Sequence, residues 1–165
     1  MIAYIPCRSG SIRLSDKNII KFNKKPILVS VIEKLSKLRF IKKICVSTDS
    51  DKYADIAKSC GAVTLNLRKK SLCNSKSGFM DLIKNDLPRY CEEFNESRVM
   101  FHLATSPLIE QKSYKAAFSR FKISKSNLLM SIGQYEYTPF FSMSKNKSNK
   151  LKVLFPEMAI KNTQD

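Results

Sequence analysis

Between Ile5 and Asn18 the chain reads IPCRSGSIRLSDKN, which sets three cations, Arg8, Arg13 and Lys17, among Ser9, Gly10, Ser11, Ser15 and Asn18. Cations interleaved with hydroxyl residues and a glycine suit one chemistry in particular, the holding of phosphate. Arginine and lysine bring charge to phosphate oxygens, while Gly10 and the serines let backbone N–H groups approach them. The stretch is neither GxGxxG nor a P-loop, because no GK[ST] follows. A surface loop with solvated cations has the same residue types, and on these residues alone the two readings stay open.

Other residues invite chemistry less strongly. Asp49 and Asp51 stand at the end of an apolar run, where a capping or structural part suits them better than a metal pair. His102 is the only histidine and lies inside RVMFHL, so a packed residue is expected there rather than a general base. Tyr135, Tyr137, Phe140 and Phe141 offer rings for stacking, although core or subunit packing is the expectation. The five cysteines, Cys7, Cys45, Cys60, Cys73 and Cys91, form no CxxC pair. A structural zinc site is therefore not expected, and reduced thiols in a cytoplasm fit this usage.

The elements that position these residues follow from periodicity. Residues 1 to 6 read as a buried strand. Ile27, Leu28, Val31, Ile32, Leu35 and Leu38 recur at helical spacing behind Pro26. KKICVSTDS (42 to 50) is a second strand, followed by a helix capped at Ser50 or Asp51 and stopped at Gly61. A third strand is expected at 62 to 66, helix at 78 to 94 with a break at Pro88, and a fourth strand at 98 to 103. A helix over 111 to 121 and a fifth strand at 127 to 132 complete the series. This alternation predicts an α/β fold, a mostly parallel sheet with helices on both faces. From Gly133 the pattern changes to an extended, hairpin-like segment with a Lys/Asn/Ser turn at 145 to 150.

A chain of 165 residues with a net charge of +16 raises nucleic acid as a partner. Its 23 lysines and 7 arginines are spread along the whole length without clustered arginines and interleaved aromatics, so no nucleic-acid partner is expected. No apolar run reaches the length of a membrane span and no secretion signal opens the chain, so neither a membrane nor export is expected. Ligands of open α/β sheets settle beyond the carboxyl ends of the strands. Three polar loops leave strand ends here, at 7 to 18, 47 to 51 and 104 to 109, and a pocket is expected among them.

IPCRSGSIRLSDKN resembles the opening signature IPARxGSKxxxxKN of the nucleotide-sugar cytidylyltransferases. The resemblance runs in order through KPILVSVIEKLSKLRFIKKICVSTDSDKYADIAKSCGA, LNLRKKSL and HLATSPL to LFPEMAIKNTQD. The chain is most similar to the CMP-sialic acid synthetases (acylneuraminate cytidylyltransferases), including the pseudaminic acid branch. That implies a Rossmann-like nucleotidyltransferase domain over 1–133 and the start of an extended dimerisation arm over 134–165 that continues past Asp165. It also implies transfer of CMP from CTP to a nonulosonic acid with release of pyrophosphate, in a cytoplasmic homodimer.

Carried over by position, Arg8 and Lys17 match residues that stabilise charge in the reaction. Arg8, Ser9, Gly10, Ser11, Arg13, Lys17, Asn18 and Arg68 fall on the nucleotide side. Thr105, Ser106, Gln164 and Asp165 fall on the sugar side. Mg²⁺ is implied as cofactor, with its ligands expected beyond Asp165 and none within the chain. Ile12, Leu103 and Asn162 replace a lysine, a glutamine and an arginine of the family pattern. These departures make a catalytically inactive nucleotide-binding relative the alternative expectation.

Overall fold

A computed structural model of the chain describes residues 1–11, 14–74, 77–134 and 139–157. The chain forms two compact units, Met1–Ile123 and Ser124–Asp165.

The first unit is organised by a strand that has no exposed side. In β1 (Ile2–Pro6), Ala3 and Ile5 point to one face and Ile2 and Tyr4 to the other, and all four are fully buried. Side chains alternate across a strand, so a run apolar at every position demands cover on both faces. The first face is covered by α1 (Ile27–Ser36) and α2 (Asp51–Ser59), through Leu28, Val31, Ile32, Leu35, Tyr53 and Ala57. Tyr90 covers the second face, with Leu87 and Phe94 around it. A two-residue-per-strand hairpin, β2 (Lys21–Phe22) and β3 (Lys25–Pro26), leads into α1. Its turn places Asn23 and Lys24 at positive φ, as a tight hairpin requires.

Strand β1 pairs in parallel with β4 (Lys43–Ser47), from Ile2 opposite Lys43 to Pro6 opposite Ser47. On its other edge it pairs in parallel with β5 (Val99–Phe101). The order β4-β1-β5 means that the chain crosses to one side of β1 and later to the other. The crevice between the ends of β1 and β5 is thus a topological switch point, where ligands of such sheets bind.

The expected helix at 78 to 94 is two helices, α3 (Phe79–Asn85) and α4 (Leu87–Glu93), with Pro88 in the first turn of α4, where its missing N–H is harmless. Helix α5 (Gln111–Ile123) follows β5. The stop after α2 is Gly61 at φ 81. Gly61→Ala is expected to lower the unfolding free energy by about 1 kcal/mol, read as a shift in denaturant midpoint, because a Cβ disfavours that backbone region.

Two expected strands are corrected. Residues 62 to 66 contribute one bridge, Val63 beside Cys45, before the chain leaves the sheet. There the Arg68 N–H donates to the Thr48 carbonyl at 2.7 Å, which turns the segment over the end of β4. Residues 127 to 132 form no strand, and Leu128, Met130 and Ile132 are 70%, 69% and 91% exposed. An apolar run becomes a strand only through a ladder partner, and among the described residues it has none.

The second unit contains a short 3-10 turn (Pro139–Phe141) and an antiparallel hairpin, β6 (Met143–Lys145) with β7 (Leu151–Val153). Asn146 closes the turn by accepting the Ser148 and Lys150 N–H groups, each at 2.9 Å, and Asn149 adopts positive φ. The hairpin therefore falls where the Lys/Asn/Ser turn is read. Tyr135, Tyr137, Asn162, Gln164 and Asp165 lie outside the described residues, as do Ile12 and Arg13.

Candidate functional site

A cavity of about 350 Å³ opens at the carboxyl ends of β1 and β5. Its lining brings together Arg8, Ser11, Lys17 and Asn18 of the first loop with Arg68 and Thr105. Residues separated by almost the whole first unit converge because parallel strands deliver their loops to one edge.

The first loop is held in shape by carboxylates that bind the fold instead of a ligand. Asp49 accepts the Ser9 N–H at 2.8 Å and the Ser9 hydroxyl at 3.2 Å. Asp16, at φ 52, accepts from the Lys52 ammonium at 3.0 Å and the Tyr53 hydroxyl at 2.9 Å. Those two donors hold the Asp16 carboxyl below its usual range. The Asn18 side-chain amide donates to the Arg8 carbonyl at 2.9 Å, and this ties the two halves of the loop together. Straps of this kind fix the backbone on either side of Arg8 and Lys17 while leaving both cations toward the cavity. Among the described residues no carboxylate pairs with either.

Arg8 donates to the Asn74 carbonyl at 2.6 Å, with the Cys73 carbonyl at 3.4 Å. Two neutral carbonyls orient a guanidinium without cancelling its charge. Arg68 is only 4% exposed. Its Nε donates to the Ser47 hydroxyl at 2.8 Å and its Nη2 to the Ser47 carbonyl.

Ser9 and Ser106 do not line the cavity. Ser9 is taken up by Asp49, and the Ser106 N–H closes a turn on the Leu103 carbonyl at 3.1 Å. The Ser11 N–H is likewise spent on the Ser9 carbonyl at 2.8 Å. The backbone amides of Ser9 and Ser11 thus serve the loop's own geometry, while Arg8, Ser11, Lys17 and Asn18 line the cavity. Gly10 is exposed, and among the described residues beyond its chain neighbours no atom comes within 4 Å of where a Cβ would sit.

Sequence reasoning missed one wall of the cavity, made by Leu72, Ser77, Gly78, Phe79 and Leu82. Phe79 is 55% exposed and meets Phe101 edge-on at 5.4 Å between centroids. Thr105 is carried on a loop strapped from α1, where the Lys34 ammonium donates to the carbonyls of Pro107 at 2.5 Å and Ile109 at 2.8 Å.

Behind that loop His102 is a packed residue, as its surroundings in the sequence suggest. It is buried, with Nε2 2.6 Å from the Tyr114 hydroxyl. Burial pushes its pKa down to about 4, so it is neutral at pH 7. The unfolded chain takes up this proton near pH 6.5 and the folded chain only near 4, so stability falls as pH drops through that window. The loss is expected to be about 2 kcal/mol between pH 7 and 5. Chemical denaturation at the two pH values should show it, and His102→Gln should flatten the dependence.

Among the described residues no three His, Cys, Asp or Glu side chains gather to hold a metal ion. Asp49 is already occupied by the Ser9 N–H and hydroxyl, and Asp16 by Lys52 and Tyr53. The five cysteines are free thiols, and no described helix is long and apolar enough to cross a membrane.

The family model described as "Cytidylyltransferase" matches residues 2–161. The chain belongs to the cytidylyltransferase family. This cytidylyltransferase chain is 30% identical to the pseudaminic acid cytidylyltransferase and UDP-2,4-diacetamido-2,4,6-trideoxy-beta-L-altropyranose hydrolase of Helicobacter pylori, over 99% of its own length and 31% of that protein's. It is 30% identical to the N-acylneuraminate cytidylyltransferase of Escherichia coli O18:K1:H7, over 93% of its length and 39% of the relative's. The pseudaminic acid cytidylyltransferase of Campylobacter jejuni is 26% identical over 91% of this chain and 65% of its own.

The chain therefore spans only part of each of these relatives. Two solved structures share its fold. One is a cytidylyltransferase from Leptospira borgpetersenii serovar Hardjo-bovis (TM-score 0.61, 24% identity, covering 75% of this chain and 49% of that one). The other is CMP:2-keto-3-deoxy-manno-octonic acid synthetase complexed with CTP (TM-score 0.60, 17% identity, 73% and 46%). Both support the Rossmann-like nucleotidyltransferase fold expected from the sequence.

Proposed function

We propose that the cavity binds CTP and that the protein transfers its CMP to a nonulosonic acid. The observation behind this reading is the meeting of Arg8, Ser11, Lys17, Asn18 and Arg68 with Thr105 at one switch-point cavity. The acceptor's anomeric 2-hydroxyl oxygen bonds to the α-phosphorus, the bond to the β-phosphate bridging oxygen breaks, pyrophosphate leaves and the hydroxyl proton passes to solvent. Such transfer is mostly positioning plus stabilisation of negative charge. Arg8 and Lys17 supply that charge, Ser11 and Asn18 orient the phosphates, and Thr105 faces the acceptor side.

Gly10, Arg13, Ser106, Gln164 and Asp165 remain part of the proposed contacts, as does a homodimer formed through the 134–165 arm. Mg²⁺ would supply further charge neutralisation on the phosphates. Its protein ligands are proposed to lie outside the residues that line this cavity. The relatives' names point to pseudaminic or N-acylneuraminic acid as the acceptor class.

The test is a pyrophosphate-release assay on the full protein with CTP, Mg²⁺ and each acid in turn. Release with one of them is expected. CTP-dependent thermal stabilisation without release from any acid would identify a nucleotide-binding relative and overturn the transferase reading.

A further inference from the structure

Beneath the cavity lies a polar cluster that touches no ligand space. Asp86, at the junction of α3 and α4, is 3% exposed. Its Oδ2 accepts from the Tyr4 hydroxyl and, at 2.5 Å, from the Ser47 hydroxyl. Its Oδ1 pairs with the Arg89 guanidinium, with Nε at 3.0 Å and Nη2 at 2.8 Å. The Ser47 hydroxyl gives its single proton to Asp86, and its oxygen then accepts from Arg68 Nε at 2.8 Å. Arg68 lines the cavity, whereas Ser47 and Asp86 do not.

A serine hydroxyl has one proton, so the partner that takes it decides which way the lone pairs face. With a carboxylate fixed on the donor side, the oxygen is aimed at Arg68 and polarised toward it. The arrangement also offsets the cost of keeping a nearly buried guanidinium in place, since the charge of Asp86 reaches it through one atom. Arg89 takes the opposite edge of the carboxylate and prevents Asp86 from turning away.

We infer that Asp86 and Ser47 are positioning residues for the nucleotide subsite, which hold the Arg68 guanidinium at the cavity without touching the nucleotide. This rests on the reading that the cavity binds CTP.

The test is calorimetric titration of CTP into the chain and its variants. Ser47→Ala is expected to raise the CTP Kd about tenfold, the effect of one misaligned charged hydrogen bond. Asp86→Asn, which keeps the side-chain volume, is the second variant and is expected to act in the same direction. In an Arg68→Ala background neither change should alter Kd further, because both act through Arg68. A purely structural role would lower the melting temperature and leave the Kd of the folded protein unchanged. An unchanged Kd in the single variants, or an undiminished effect in the Arg68→Ala background, would overturn the inference. A wild-type chain that fails to bind CTP would instead overturn the reading of the cavity, and the inference with it.

Discussion

Arg8→Ala is expected to weaken CTP binding about thirtyfold or more while the chain melts within a few degrees of the parent. Loss of an ion contact to a bound phosphate costs on the order of 2–5 kcal/mol, and each 1.4 kcal/mol is about a factor of ten. The side chain is half-buried and its partners are the carbonyls of Cys73 and Asn74. The loop carrying those carbonyls lies at the surface, where water can replace the guanidinium, so the fold loses little. Arg8→Lys should recover part of the affinity, since it restores the charge but not the two-pronged geometry. Titration calorimetry at two salt concentrations checks both points, and the salt dependence should shrink in the alanine variant. Wild-type affinity in Arg8→Ala would show that the first loop does not hold the phosphates.

The second large effect falls on stability. Asp86→Ala is expected to destabilise the first unit by about 3–5 kcal/mol, the usual result of removing one partner from a buried charged pair. Arg89, the Tyr4 hydroxyl and the Ser47 hydroxyl each lose an acceptor at once. Burial and the bond to Asp86 hold the Tyr4 hydroxyl well above the usual phenol pKa, so it is a donor throughout the ordinary pH range. Tyr4→Phe, by contrast, removes one donor and leaves the carboxylate with Ser47 and Arg89. It should cost only about 1 kcal/mol. Urea denaturation followed by circular dichroism separates the two, and equal midpoints for both variants would show that Asp86 does not organise this region.

Much of the first unit was legible because its elements obey strict periods. Helix α1 follows its apolar spacing from Ile27 to Leu35, and β1 and β4 appear where continuous apolar runs demand burial on both faces. Pro88 divides α3 from α4 as its chemistry requires. Residues 127 to 132 misled because composition alone carried that reading, and composition says nothing about a pairing partner.

The site was legible where charge marks it. Arg8, Lys17 and Arg68 are conspicuous residue types, and parallel topology explains why they meet Thr105. Leu72, Phe79 and Leu82 were hidden because an apolar wall residue and a core residue look alike in a sequence. Asp86 was hidden for another reason: its bonds to Ser47 and Tyr4 span 39 and 82 positions, distances over which no local pattern exists.

Separate straps hold the two loops that line the cavity. Asp49, Lys52 and Tyr53 belong to the β4–α2 corner and govern the cationic loop, whereas Lys34 governs the segment from Ala104 to Ile109 from a different helix. Substitutions within that second segment can therefore reshape the Thr105 side of the cavity while the straps on the cationic loop stay in place. A scaffold built this way can vary one wall of its cavity while the cationic wall stays constant.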